Sequence, residues 1–85
     1  MFLLVGNGVF ANSEIKYPAV FRTTSALNVR QHPYRNSEKV GLLKKDTEFV
    51  VDSLHNARWA CITHNGKVAY IATAFIVYKH SVLET

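Results

Sequence analysis

One cysteine, Cys61, stands in a chain of 85 residues, so no internal disulfide can brace the fold and a hydrophobic core must hold it. Charge is scarce as well. Charged residues make up 19% of the chain against 48% apolar ones, a balance that argues against disorder and for a continuous apolar interior. No apolar run approaches the roughly twenty residues that a helix needs to cross a bilayer. There is also no polybasic run. Ten Lys and Arg against six Asp and Glu give a formal net charge of +4 and a sequence pI near 9.5, but the basic residues are spread from Lys16 to Lys79 and the densest pair is Lys44-Lys45. They read as a solvated surface before they read as a nucleic-acid or membrane patch. Internal repeats, low-complexity stretches and amphipathic helices are missing too, and the length leaves room for one domain and none for a separate catalytic unit.

The residues that carry catalysis and metal binding are few and badly spaced for either. His32, His55, His64 and His80 do not fall at zinc-site intervals and only Cys61 can supply sulfur, so no metal and no cofactor is expected. Cys61 with His64 has the residue types of a thiol nucleophile and its base. The pair lies on a strand and its adjoining turn with no third group to orient the histidine, so an ordinary strand thiol is the expectation.

Period-two alternation organises the body of the chain, which begins near Phe21. Leu27 and Val29 share one face and Asn28 and Arg30 the other, as in a half-buried strand, read here as the first. Residues 31–39 hold Pro33, Asn36 and Ser37 without apolar periodicity and form a loop. Val40 to Leu43 is a second short strand. Asp46 suits a tight turn because Asp tolerates left-handed backbone, and Phe49 and Val51 then point inward from a third strand. Arg58 to Thr63 is rich in β-formers and ends just before Asn65-Gly66, a pair that marks a type I′ hairpin because both central residues need positive φ. Lys67 to Ile71 is the return strand, Ala72-Thr73-Ala74 a single helical turn, and Phe75 to Tyr78 the closing strand. Short strands with closely spaced turns indicate an all-β barrel or sandwich.

Residues 1–20 read as an N-terminal arm, 21–80 as the barrel and 81–85 as a tail. Pro18 keeps Tyr17 extended. Met1 to Ala11 is apolar and ends in Val9-Phe10-Ala11, a pattern that signal peptidase accepts, although no Lys or Arg precedes it and Gly6-Asn7-Gly8 interrupts it. A strand or hairpin arm turning at Asn7-Gly8 explains the same residues.

About fifty residues, from Leu27-Asn28-Val29-Arg30 through Pro33, Leu43, Thr47, Trp59 with Ile62, and Asn65-Gly66 to Phe75-Ile76, resemble the bacterial SH3 domain in order and spacing. The resemblance implies an SH3-like barrel of five to seven short antiparallel strands with a short 3-10 turn before the last. It also implies a noncatalytic module, often exported to the periplasm or beyond the cell, that binds peptidoglycan or its peptide stems or docks onto an envelope protein. Asp46 replaces the family's usual glycine, Ala69-Tyr70-Ile71 replaces Gly-Trp-Val, and Gln31-His32-Pro33 replaces small residues before the proline.

The aromatic residues supply the candidate site. Phe21, Phe49 and Phe75 fit inward positions and are expected in the core, whereas Trp59 and Cys61 have opposite parity to Ile62 and are expected to face outward. Trp59 with Tyr34 and Tyr70 forms a candidate aromatic surface, to which Arg58 or Arg35 brings charge for a carboxylate. Packing of Trp59 against a strand or the arm is the competing reading, and Arg30 and Asn28 are expected to serve structure by closing the barrel with hydrogen bonds. Three functions follow from different features: a module that holds a peptide-like ligand, a nucleic-acid-binding barrel with the same aromatics as stacking platforms, or a structural subunit that assembles through its N-terminal arm by adding a strand to a neighbour.

Overall fold

The computed structural model describes residues 15–82, and the expectations for residues 1–14 fall outside that range. Eight strands build two sheets: β1 (Ala19–Thr23), β2 (Leu27–Arg30), β3 (Lys39–Leu43), β4 (Glu48–Val51), β5 (Ser53–Leu54), β6 (Trp59–His64), β7 (Lys67–Ala72) and β8 (Ile76–Ser81), with a 3-10 turn at Thr73–Phe75 before β8. The smaller sheet runs β4-β1-β8 and the larger β3-β2-β7-β6-β5. All pairings are antiparallel, as expected for a small SH3-like barrel.

Alternation explains which side chains meet inside. Ala19 and Phe21 of β1, Leu27 and Val29 of β2, Val51 of β4, Ala60 and Ile62 of β6, and Ala69 and Ile71 of β7 are buried together. Each large aliphatic chain among them contributes about 1.5–3 kcal/mol by leaving water. The chain passes from the smaller sheet to the larger at Asp52, which alone separates β4 from β5. There the Asp52 N–H donates to the Cys61 carbonyl at 2.8 Å, and its carboxylate accepts from the Thr63 hydroxyl at 2.8 Å.

Thr23 is the most deeply buried of the polar residues described, ahead of Ser37 and Ser81, and is fully enclosed. Its hydroxyl donates to the Lys44 carbonyl at 2.6 Å and accepts from the Thr47 N–H at 3.0 Å. Its backbone N–H reaches the Thr47 carbonyl and its carbonyl the Asp46 N–H, each at 3.0 Å. The turn between β3 and β4 is thereby fastened to β1. Asp46 sits there at φ 65°, the left-handed geometry expected for it, and accepts an exposed hydrogen bond from Arg22 at 2.9 Å. The β6–β7 turn has Asn65 at φ 53° and Gly66 at φ 79°, as its sequence predicts.

Three expectations change. Leu27–Arg30 is the second strand, because β1 precedes it. In β1 the outward Val20 and the inward Thr23 blur the apolar alternation, although burial follows the period of two. The two-residue β5 brings the count among the described residues to eight strands, where five to seven were expected. Phe75 is not a core residue: it is 46% exposed, because the 3-10 turn runs through it and parity counted along a strand fails where three residues make a turn. Ile76 turns inward in its place and packs on the core.

Gly41 explains another local choice. It lies opposite Val29, and a Cβ built there would come within 2.8 Å of the His64 Cε1, so the half-buried His64 ring occupies the space a side chain would need. Two stability predictions follow from these contacts. Thr23→Val keeps the shape but strands the Lys44 carbonyl and the Thr47 N–H, and is expected to lower unfolding free energy by about 1–3 kcal/mol in urea titration. Gly41→Ala is expected to drive the His64 ring into solvent at a cost on the order of 1 kcal/mol. Its cost should fall when combined with His64→Ala, so that the two substitutions are not additive in a double-mutant cycle.

Candidate functional site

Trp59 begins β6, and its placement is determined by the turn before it. The Asn56 side-chain carbonyl accepts the backbone N–H groups of Arg58 and Trp59, each at 2.9 Å, and the His55 N–H donates to the Trp59 carbonyl at 2.9 Å. An Asx-type turn of this kind offers the chain a local alternative to the ladder. Across β7 the partner of Trp59 is Ala72, a residue too small to cover the indole. Trp59 is accordingly half-buried, with its parity outward as expected.

The same turn holds the other aromatic wall. The Thr73 N–H donates to the Arg58 carbonyl at 2.9 Å and the Thr73 hydroxyl to the Ala57 carbonyl at 2.7 Å. These bonds fix the 3-10 turn that carries Phe75. Trp59 and Phe75 flank a groove of about 350 Å³ whose walls also include Asn28, Arg30, Arg35 and Ala72. Two aromatic faces, one amide and two guanidinium groups converge there, a set able to hold an apolar or planar group beside an anion.

The cations reach the groove from β2 and the loop 31–38. Arg30 donates through Nη1 to the Ser37 carbonyl at 2.9 Å, and the buried Ser37 hydroxyl accepts the His32 N–H at 2.8 Å. The backbone of the loop is closed by Gln31 N–H to the Glu38 carbonyl at 2.9 Å and Ser37 N–H to the Tyr34 carbonyl at 3.1 Å. Arg30 thus does the structural work expected of it and lines the groove as well.

The five sequence candidates separate. Trp59 and Arg35 share the groove. Tyr34 is exposed and stacks on His32, ring centres 5.7 Å apart and nearly parallel, outside the groove walls. Tyr70 lies opposite Cys61 and Arg30 in the sheet and meets the His55 ring edge-on at 5.6 Å. Arg58 is exposed and enters the framework through its backbone carbonyl. Phe75 and Asn28, which sequence reasoning placed elsewhere, belong to the groove. The signal for Phe75 was its position at the end of a short turn instead of within a strand.

Cys61 is half-buried on the outer face of β6, opposite in parity to Ile62 and to His64. Cys61 and His64 therefore point to opposite faces of the sheet, which removes the geometry of a nucleophile and its base. Among the described residues no three His, Cys, Asp or Glu side chains gather as a metal site.

A small two-sheet barrel with an aromatic and cationic groove on its outer face is the architecture of a binding module. The chain belongs to the bacterial SH3 domain family, whose model matches residues 25–77. It is also similar to a Bacillus subtilis (strain 168) protein described as uncharacterized protein YfhK, with 37% identity over 59 residues, 69% of this chain and 34% of that one. The chain thus spans about a third of that relative's length. No solved structure matches the chain.

Proposed function

We propose that this domain is a noncatalytic module of the bacterial cell envelope, periplasmic or extracellular, that holds a peptide-like ligand bearing a carboxylate in the groove between Trp59 and Phe75. The ligand is a peptidoglycan stem or an extended segment of an envelope or secretion partner protein. The observation that carries this reading is that two aromatic side chains, Trp59 and Phe75, line one groove together with Arg30 and Arg35. A carboxylate meets a guanidinium with paired, charge-assisted hydrogen bonds, while the flanking apolar atoms of a peptide cover the indole and phenyl faces. Catalysis has no part in the reading, since the groove contains neither a nucleophile nor a general base.

Tyr34, on its loop beside Arg35, and Tyr70 with Arg58 extend the surface that a longer ligand would cross. Among the described residues no helix is long and apolar enough to cross a membrane, and nothing in this reading requires one.

The test is a pelleting assay with purified, DNA-free peptidoglycan sacculi at low and moderate salt. Retention of the intact chain should survive added salt. Trp59→Ala should reduce affinity by at least tenfold, as expected for a tryptophan at the centre of a contact. Phe75→Ala and Arg35→Ala should weaken binding, and Tyr34→Ala should do so less. Absence of retention at either salt would exclude the cell-wall ligand and leave the partner-protein form of the proposal. Binding to single-stranded nucleic acid that collapses steeply with salt would instead favour the stacking-platform reading.

A further inference from the structure

Charge in the Trp59 groove is one-sided. Arg30 and Arg35 both line it and no acidic side chain does, while the ion pairs among the described residues are Arg22–Asp46 and Lys79–Glu48. The two cations on its walls therefore have no carboxylate partner among the described residues. Arg30 is also held in place, because its Nη1 donates to the Ser37 carbonyl at 2.9 Å, and the other N–H groups of its guanidinium are left to a ligand. Asn28 stands two residues away on the same face of β2, about 7 Å along the strand. Its side-chain amide makes no hydrogen bond to any described residue. The closing hydrogen bond expected of both residues is made by Arg30 alone, and Asn28 keeps a donor and an acceptor to offer the groove.

The shape of the groove limits what can lie in it. Arg30 is paired with Tyr70 and Trp59 with Ala72, and two residues further along the antiparallel β2–β7 ladder Asn28 falls opposite Ala72. Asn28, Ala72 and Trp59 thus form a row across three strands, with the small alanine as its low point. The 3-10 turn follows Ala72 at once and brings Phe75 to that end of the row, so a chain laid on the floor runs into it. The volume, about 350 Å³, is near the lower limit of the roughly 300–1,000 Å³ of ligand sites, room for one residue and the peptide group before it. An end residue presents an anion, an apolar side chain and a peptide group within that space, and capture of a terminal carboxylate is a recurring mode of peptide recognition. We propose that the groove reads the C-terminus of a peptide. The α-carboxylate lies on Arg30 and Arg35, the last peptide group on the Asn28 side chain, and an apolar terminal side chain over Ala72 between Trp59 and Phe75. This inference rests on the peptide-binding reading above and narrows it, because an internal acidic residue would have to continue past Phe75.

The test follows the indole N–H signal of Trp59, the sole tryptophan, in the isotope-labelled full chain during titration with three acetylated peptides to millimolar concentration. The first is acetyl-Ala-Ala-Leu with a free carboxylate, the second is the same peptide as its C-terminal amide, and the third is acetyl-Ala-Asp-Leu amide, which carries the same charge on an internal side chain. The free acid should shift the indole signal to saturation and bind at least tenfold more tightly than either amide, as two charge-assisted guanidinium contacts require. Arg35→Gln should weaken the acid and leave the amide unchanged, and Asn28→Ala, which removes no hydrogen bond of the framework, should weaken the acid severalfold. Equal binding of the internal-Asp peptide overturns the inference and leaves the carboxylate reading of the groove standing. Equal binding of the uncharged amide overturns the inference and the carboxylate together, leaving only the aromatic contact. An indole signal that none of the three peptides moves overturns both the inference and the peptide-binding reading.

Discussion

The buried hydroxyl of Thr23 is the contact on which the arrangement of the sheets depends. β1 is the central strand of the smaller sheet, and the turn it grips joins β3 of the larger sheet to β4 of the smaller. Four hydrogen bonds between Thr23 and residues 44–47 therefore fix one sheet relative to the other and set the register of β4 on β1. A slip of one residue in that register would carry Val51 from the interior to solvent, since side chains alternate with a period of two. The exposed ion pair Arg22–Asp46 at the same turn adds at most about 1 kcal/mol. The buried neutral network is the stronger constraint, because its loss leaves polar backbone groups without water.

Groove and framework are separable in this molecule. The interior is filled mainly by aliphatic side chains and Phe21, while Trp59 and Phe75 are on the outside. Both aromatic walls are located by one short segment, 55–58, whose contacts to them are made by main-chain groups and the Asn56 and Thr73 side chains. Ala57 of that segment, with Thr73 of the 3-10 turn, also lines a second, apolar groove together with Ile15, Tyr17, Leu54 and Tyr78. A single tight turn thus separates a cationic, aromatic cleft from a neutral one.

Much of the fold was legible because local chemistry and the final structure agree. Leu27 and Val29 alternate as they bury, Asn65-Gly66 takes the positive φ its residue types allow, and Asp46 adopts left-handed geometry. Trp59 faces outward because Ile62 faces inward. β1 was hidden because its inward Thr23 is polar and its outward Val20 is apolar, and only long-range contact with the turn at Lys44 explains the inversion. Phe75 was misplaced because a 3-10 turn interrupts the period of two. The groove itself depends on residues far apart in sequence, Asn28, Arg35, Trp59 and Phe75, whose meeting is a property of topology and not of any local pattern. Gly41 carries no side chain to announce that the His64 ring occupies its space.

The loop 31–38 holds its shape with two side chains, Arg30 and Ser37, and with backbone hydrogen bonds that any residue except proline can supply. His32, Tyr34, Arg35 and Asn36 project from it exposed, owing nothing to the core. Under the proposed function, recognition and foldability are therefore written in different positions, the exposed tip of the loop on one hand and Arg30 with Ser37 on the other. A lineage could exchange the tip of this loop, and with it the chemical preference of the adjoining cleft, while the barrel beneath retains its stability, which is the condition under which one scaffold diversifies into many specificities.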